Sequence, residues 1–182
     1  MLFQKGKLKI RVLEESDGQK LVKWLSDPVV LQFYEGRDNA FDLEKVQKEF
    51  YNKEEGVTRG IIEFDKKEIG YIQYYPLGKK EKEQYGYEEE DIIYGTDQLI
   101  GEVDYWNKGI GKVLIKAVVE HLIKAKQAQK VVMDPQEWNI RAIRCYEKCG
   151  FEKVKLLPEH EWHEGQYRNC WLMEYNQKAV SV

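Results

Sequence analysis

Apolar and polar side chains alternate along Leu8-Lys9-Ile10-Arg11-Val12-Leu13, which predicts a half-buried strand over 8–13. Leu21, Val22, Trp24 and Leu25 then follow at helical spacing behind Ser16, so Ser16 is the expected N-cap of a helix ending near Asp27-Pro28. Pro28 suits the first turn of a second short helix carrying Val29, Val30, Leu31, Phe33 and Tyr34. After the loop Gly36-Arg37-Asp38-Asn39, Asp42 is placed to cap a third helix with Leu43, Val46 and Phe50 inward. Residues 57–64 and 68–75 read as two strands of an antiparallel hairpin turning at Asp65-Lys66-Lys67. Residues 77–90 are polar and rich in Lys, Glu and Tyr, the pattern of a mobile excursion, with Glu88-Glu89-Glu90-Asp91 as solvated loop charge. The next strand, 91–100, is interrupted by Gly95, where a bulge is expected.

The clearest periodicity starts behind Gly109. Ile110, Val113, Leu114, Ala117, Val118, His121, Leu122 and Ala125 form one apolar stripe of a helix, with His121 expected as a packed, hydrogen-bonded core residue. Residues 130–133 read as a short buried strand, and Asn139 caps a further helix that Gly150 closes. A strand begins at Phe151, and 170–175 is the last one. No internal repeat and no linker interrupts the pattern, so residues 1–182 are expected to form one domain.

Bulk composition narrows the function classes. A chain of 182 residues buries roughly 70% of the surface its unfolded form exposes. Its net charge of −3 argues against binding nucleic acid through a basic field and suits a cationic substrate. No apolar run approaches the ~20 residues that span a membrane, and Met1-Leu2-Phe3-Gln4-Lys5-Gly6-Lys7 lacks the apolar core of a secretory signal. Cys145, Cys149 and Cys170, an odd number without close pairs, point to reduced thiols and a cytoplasmic protein. Cys145 and Cys149 at i, i+4 and His160 and His163 at i, i+3 are not a zinc spacing, so no metal is expected.

Trp106-Asn107-Lys108-Gly109-Ile110-Gly111-Lys112 leads into the strongest helix. A helix N-terminus offers unpaired N–H groups and partial positive charge, glycines allow close backbone approach, and Lys108 and Lys112 add charge, which together suit a pyrophosphate. A dinucleotide fingerprint would need glycine where Leu114 stands, and a Walker loop would need Ser or Thr where Val113 follows Lys112. Taken alone, the segment reads equally as an ordinary glycine-rich turn. The pattern N-x-x-A-x-x-x-Y-x-x-x-G-F, filled by Asn139, Ala142, Tyr146, Gly150 and Phe151, removes that ambiguity.

With both motifs present, the chain resembles the GNAT superfamily of acetyl-CoA-dependent N-acetyltransferases over roughly residues 8–176. Trp106 departs from the Gln or Arg that opens the superfamily's phosphate loop, at a tolerant position. The resemblance implies an α+β fold: a central, mainly antiparallel mixed sheet of about seven strands, flanked by helices and splayed where acetyl-CoA enters. It implies cofactor contacts from Gln98, Leu99, Ile100, Asn107, Lys108, Gly109, Ile110, Gly111, Lys112, Asn139, Ala142 and Tyr146.

Further segments are similar to the aminoglycoside 6'-N-acetyltransferase family, especially its branch in Gram-positive bacteria. These are Lys23-Trp24-Leu25-Ser26-Asp27, Phe33-Tyr34-Glu35-Gly36-Arg37-Asp38 and Tyr94-Gly95-Thr96-Asp97-Gln98-Leu99-Ile100-Gly101-Glu102. Asp134-Pro135 and the stretch from Leu157-Pro158 to Glu164-Gly165 extend the match. The resemblance makes Asp97 the proposed base, where the alternative is a structural turn aspartate; Tyr146 is then the expected acid that protonates the departing thiolate, where the alternative is a core tyrosine on a helix face.

Chemistry gives an independent reason for such an aspartate. Deprotonating a lysine-like amine of pKa ~10.4 at pH 7 costs roughly 4–5 kcal/mol. A carboxylate beside the amine both attracts its ammonium form and accepts its proton. A backbone N–H near Leu99 is expected to hold the developing oxyanion. A polycationic acceptor calls for carboxylates and aromatic faces: Asp97, Glu102, Asp134, Glu137, Glu161 and Glu164, with Trp24, Tyr34 and Tyr74 as walls. Each of these acids alone reads more readily as a solvated surface charge.

The sequence therefore predicts direct acetyl transfer from acetyl-CoA to a primary amine, preferably the 6'-amine of an aminoglycoside, by a monomer or a homodimer. A polyamine or peptide-lysine acceptor shares every cofactor feature and differs in acceptor profile. A CoA-binding sensor would bind CoA without turnover and would have no use for Asp97 and Tyr146 together.

Overall fold

The computed structural model describes residues 1–175; residue 176, the last of the resemblance, lies outside them. The chain divides into two compact units, residues 1–73 with 97–110, and residues 74–96 with 111 onward.

The first unit begins with an edge strand the hydropathy pattern did not announce, ahead of the strand predicted over 8–13. β1 (Phe3–Lys5) folds back on β2 (Leu8–Val12) through Gly6, and β2 pairs antiparallel with β3 (Thr58–Phe64). β3 continues into β4 (Lys67–Pro76) through Asp65 and Lys66, at φ 50 and 69. Two left-handed residues in a two-residue loop make the type I′ turn that matches the twist of an antiparallel pair. The helices are α1 (Gly18–Trp24), α2 (Pro28–Leu31) and α3 (Leu43–Phe50).

Ser16 is not the cap of α1. It lies inside a 3-10 turn, Glu15–Asp17, and the buried Asp17 next to it is the organising side chain. Arg11 donates to both Asp17 oxygens at 2.7 Å, and the Glu14 amide donates to Oδ2 at 2.9 Å. Burial pushes the Asp17 carboxyl up, but Arg11, the Glu14 amide and Lys20 outweigh it and hold the pKa at about 2. Asp27 and Asp42 cap α2 and α3 through Val29 N and Lys45 N at 2.9 and 2.8 Å. α2 ends at Leu31, before Phe33 and Tyr34, because the chain turns left-handed at Glu35 and Gly36 (φ 72 and 99). Leu21, Trp24, Val46, Phe50, Tyr71 and Leu99 belong to the core of this unit.

The second unit holds α4 (Lys79–Tyr85), α5 (Ile110–Lys126, from Gly111), β6 (Lys130–Met133), α6 (Ile140–Lys148), β7 (Phe151–His163) and β8 (Gln166–Tyr175). α4 stands where the sequence predicted an excursion. Its residues are strong helix formers without an apolar period, and Gly86 closes it left-handed at φ 82. Tyr85 and Tyr87 anchor the segment on the core of Leu77, Ile93, Val132, Leu157, Cys170 and Leu172. On α5 the buried face is wider than one stripe: Ile115 and Val119 are buried, while Val113 and Ala125 are exposed. β7 and β8 form a long hairpin through Glu164 and Gly165, at φ 48 and 85, again a type I′ pair.

β5 (Ile93–Ile100) completes the strands, and sheet order is β1-β2-β3-β4-β5-β6-β8-β7. β5 and β6 pair in parallel, whereas β1-β2, β2-β3, β6-β8 and β7-β8 are antiparallel. The sheet is thus mixed and mainly antiparallel as predicted, with eight strands in place of about seven. The β5–β6 register runs in step from Ile93 with Lys130 to Gly95 with Val132 and ends there. Gly95 is required by crowding, since a Cβ there would lie 2.6 Å from the Tyr75 ring. No helix among the described residues is long and apolar enough to cross a membrane.

Candidate active site

In the first unit, Asp97 sits half-buried on β5, and Gln73 of β4 donates from Nε2 to its Oδ2 at 2.9 Å. Tyr71, two residues earlier on the same face, donates its hydroxyl to Gln73 Oε1 at 2.9 Å. That bond fixes which end of the Gln73 amide faces Asp97, so the carboxylate always meets a donor. Burial raises the Tyr71 pKa well above the ordinary phenol value, keeping the hydroxyl protonated as a donor. Beyond Asp97, Gln98 and Ile100 are half-buried and Leu99 is buried.

Glu102 is tied down from two sides. Lys23 Nζ and Trp24 Nε1 donate to its Oε1 at 2.7 and 3.0 Å. Burial would raise its pKa, but the bonds from Lys23 and Trp24 prevail and keep it low. Trp24 itself is a core side chain, 1% exposed, and a Cβ on Gly101 would fall 2.1 Å from its ring. Tyr34 packs against the same core.

The glycine-rich loop leaves this unit at the start of α5. Asn107 and Gly109 are left-handed (φ 58 and 76), Asn107, Lys108 and Gly109 are exposed, and a Cβ at Gly109 would meet nothing within 4 Å. The first turn of α5 carries no acidic residue, and Lys112 lies in it. A helix start that omits carboxylates and adds lysine is matched to an external anion, so these residues fit a pyrophosphate. Trp106, the departure from the loop consensus, donates from Nε1 to Ile100 O at 2.7 Å and packs edge-on against Phe33 at 5.7 Å.

In the second unit, Asn139 caps α6 by accepting from Ala142 N at 3.3 Å, which accounts for the Asn and supplies a structural role for both motif positions. Tyr146 is half-buried with its ring 6.1 Å from that of Phe151. Cys145 and Cys149 lie on the same helix; the hydrogen bond from Cys149 is the main cause that lowers the Cys145 pKa, and it raises that of Cys149. Among the described residues no three His, Cys, Asp or Glu side chains gather as a metal site would require.

A cavity of about 240 Å³ lies wholly within this unit, lined by residues that include Tyr75, Glu81, Gln84, Tyr85, Asp134 and His160. Of the acids selected from sequence in this unit, only Asp134 lines it. Glu137 is exposed and accepts from Asn169 at 3.2 Å, Glu161 is exposed on β7, and Glu164 is a hairpin-turn residue. Tyr74, expected as an aromatic wall, does not line this cavity, and its neighbour Tyr75 does. Successive residues of a strand point to opposite faces, and Tyr74 is buried against His121, its hydroxyl 3.2 Å from Nε2. His121 is therefore the packed, hydrogen-bonded residue expected, and its burial lowers its pKa.

Residues 14–158 match the acetyltransferase (GNAT) domain family. This chain belongs to the GNAT acetyltransferases. The aminoglycoside N(6')-acetyltransferase type 1 of Klebsiella pneumoniae is 34% identical over 151 residues, covering 79% of this chain and 73% of that protein. A crystal structure of an aminoglycoside acetyltransferase with coenzyme A and kanamycin superposes with a TM-score of 0.75 and 28% identity, over 95% of this chain and 96% of the other. The spermidine N-acetyltransferase of Vibrio cholerae, with CoA and spermine, shares the fold at a TM-score of 0.75 but only 18% identity, over 94% and 96%.

Sequence reasoning selected only Asp134 from the cavity's lining and missed, among others, Tyr75, Glu81, Gln84, Tyr85 and His160. Three lie on α4, whose polar sequence hid the helix. His160 lay in the 157–165 stretch of the resemblance, but its side chain was read only as a histidine spacing that does not fit zinc.

Proposed function

We propose that this acetyltransferase uses acetyl-CoA to acetylate the 6'-amine of aminoglycosides, a reaction that confers antibiotic resistance. The observation that carries the reading is the 34% identity to an aminoglycoside N(6')-acetyltransferase across 79% of this chain. The acidic and aromatic cavity supports it, since an aminoglycoside presents several ammonium groups.

Acetyl-CoA supplies the activated acyl group, and the loop from Asn107 to Lys112 with the α5 N-terminus is proposed to hold its pyrophosphate. The substrate amine nitrogen attacks the thioester carbonyl carbon and the carbon–sulfur bond breaks. Asp97, oriented by Gln73, accepts the amine proton, offsetting most of the roughly 4–5 kcal/mol needed to reach the free amine near pH 7. Tyr146 protonates the departing thiolate, and a backbone N–H near Leu99 stabilises the oxyanion. Within the second unit, Asp134 and Glu81 line a cavity whose acidic groups suit ammonium ligands.

The test is the position of the new acetyl group. Kanamycin incubated with the enzyme and acetyl-CoA should yield one product, acetylated at the 6'-nitrogen by NMR. Acetylation at another nitrogen, or acetylation of spermidine with kanamycin left intact, would replace this acceptor assignment while leaving the acetyl transfer.

A further inference from the structure

The cavity of the second unit contains its own titratable base. Among its lining residues His160 is the one basic side chain, and its Nε2–H donates to Asp134 Oδ2 at 2.9 Å. Both partners are partly shielded, with side-chain exposures of 17% and 34%. We propose that His160 is an internal competitor for the ammonium subsite at Asp134, and so a specificity-determining residue for cationic acceptors. A substrate ammonium that takes Asp134 must displace the imidazolium.

The backbone around His160 is built to deliver this side chain. The β7–β8 register slips between Leu157 and Glu161, and Glu159 is left-handed at φ 45. Asn169 Oδ1 fixes the distortion by accepting from Glu159 N at 2.9 Å. An irregularity of this kind re-aims a side chain out of strand alternation, and such features recur beside functional sites. From the other side α4 brings Tyr85 Oη to 3.4 Å from Nε2 and Gln84 Nε2 to 3.5 Å from Nδ1.

The charges facing His160 favour its protonated form. Asp134 follows β6, Glu161 adjoins it on β7, and Glu81 lines the cavity from α4; Cys170 of β8 is a thiol that meets Glu161. Lys155 of β7 donates to the Gln84 carbonyl at 2.8 Å. The hydrogen bond to Asp134 raises the His160 pKa against the opposing effect of burial, with Glu161 adding to the rise. The imidazolium therefore persists above the pH at which histidine ordinarily discharges, and Asp134 is released as pH rises.

This inference rests on the reading that the cavity binds amines, and the experiment separates the two. Kanamycin and spermidine binding to the CoA-loaded enzyme would be measured calorimetrically at two pH values, one below and one above the His160 titration as located by NMR. His160→Gln should tighten binding about fivefold at the lower pH, the weight of one partly exposed ion pair, and change little at the higher. Equal affinity for wild type and His160→Gln at both pH values, or weaker binding by the variant, would mark a merely structural His–Asp staple and overturn the proposal.

A second readout needs no variant: in the wild type, saturating kanamycin or spermidine should lower the His160 pKa measured by NMR. An unchanged pKa with ligand bound overturns the proposal as well. Spermidine binding with this His160 dependence, while kanamycin does not bind, would discard the aminoglycoside and keep the competitor. Binding of neither cation by either form would overturn both.

Discussion

Gln73 Nε2 meets Asp97 Oδ2 at 2.9 Å, with the amide's own oxygen held by Tyr71. The chain of donors is directional: the phenol fixes the amide, and the amide fixes the carboxylate. If Asp97 is the base, Gln73 is its positioning residue. Gln73→Met should lower kcat about tenfold with little change in KM, the value of one hydrogen bond to a charged group. Gln73→Glu should shift the acidic limb of the kcat/KM profile to higher pH, because a second carboxylate disfavours ionised Asp97. An unchanged pH profile in Gln73→Glu would remove Gln73 from the mechanism.

Asp17 is a stability element apart from the chemistry. Its pKa is held at about 2 by Arg11, the Glu14 amide and Lys20 against burial. A depressed carboxylate stabilises the fold above its unfolded pKa of ~3.9 and loses that contribution as pH falls toward its folded value. Asp17→Asn should cost about 3 kcal/mol near neutrality, since Arg11 loses a buried partner. The gap to wild type should shrink between about pH 4 and pH 2 in urea melts. A gap independent of pH would refute the assignment.

Gly101 is a packing requirement, not a flexible joint. An added Cβ would lie 2.1 Å from the Trp24 ring, and Trp24 in turn binds Glu102. Gly101→Ala should destabilise by about 1–3 kcal/mol, as overpacking does. Trp24 fluorescence should shift with it, and a melt matching wild type would count against the close packing.

Cys145 should be the first thiol alkylated. The hydrogen bond from Cys149 lowers its pKa to about 7, while Cys149 and Cys170 are buried and their pKa values are raised. Limiting iodoacetamide near pH 7 should label Cys145 in peptide maps before either of the others. Preferential labelling of Cys170 would contradict the geometry.

Much of the fold could be read from local signals with one mechanism each. Asn139 and Gly150 mark the ends of α6 because caps depend on nearby backbone groups, and α5 announces itself by apolar period. The hidden elements are those decided by tertiary contact. α4 has no apolar stripe and is anchored by Tyr85 and Tyr87. β7 runs through Pro158 and mostly exposed residues, so neither alternation nor propensity reveals its 13 residues. The candidate site divides the same way: Asp97 and the phosphate loop lie in motifs, whereas Gln73 and His160 gain their roles from distant partners. Tyr74 and Tyr75 show the limit most sharply, since a choice of one residue along a strand selects the opposite face.

The most direct test of the account is thiol release from acetyl-CoA with kanamycin, spermidine and a lysine peptide as acceptors, comparing wild type with Asp97→Asn. The account predicts turnover with kanamycin, little with the other two, and a loss of roughly a hundredfold or more in kcat for the variant. Equal rates for wild type and Asp97→Asn, or turnover confined to spermidine or the peptide, would contradict it.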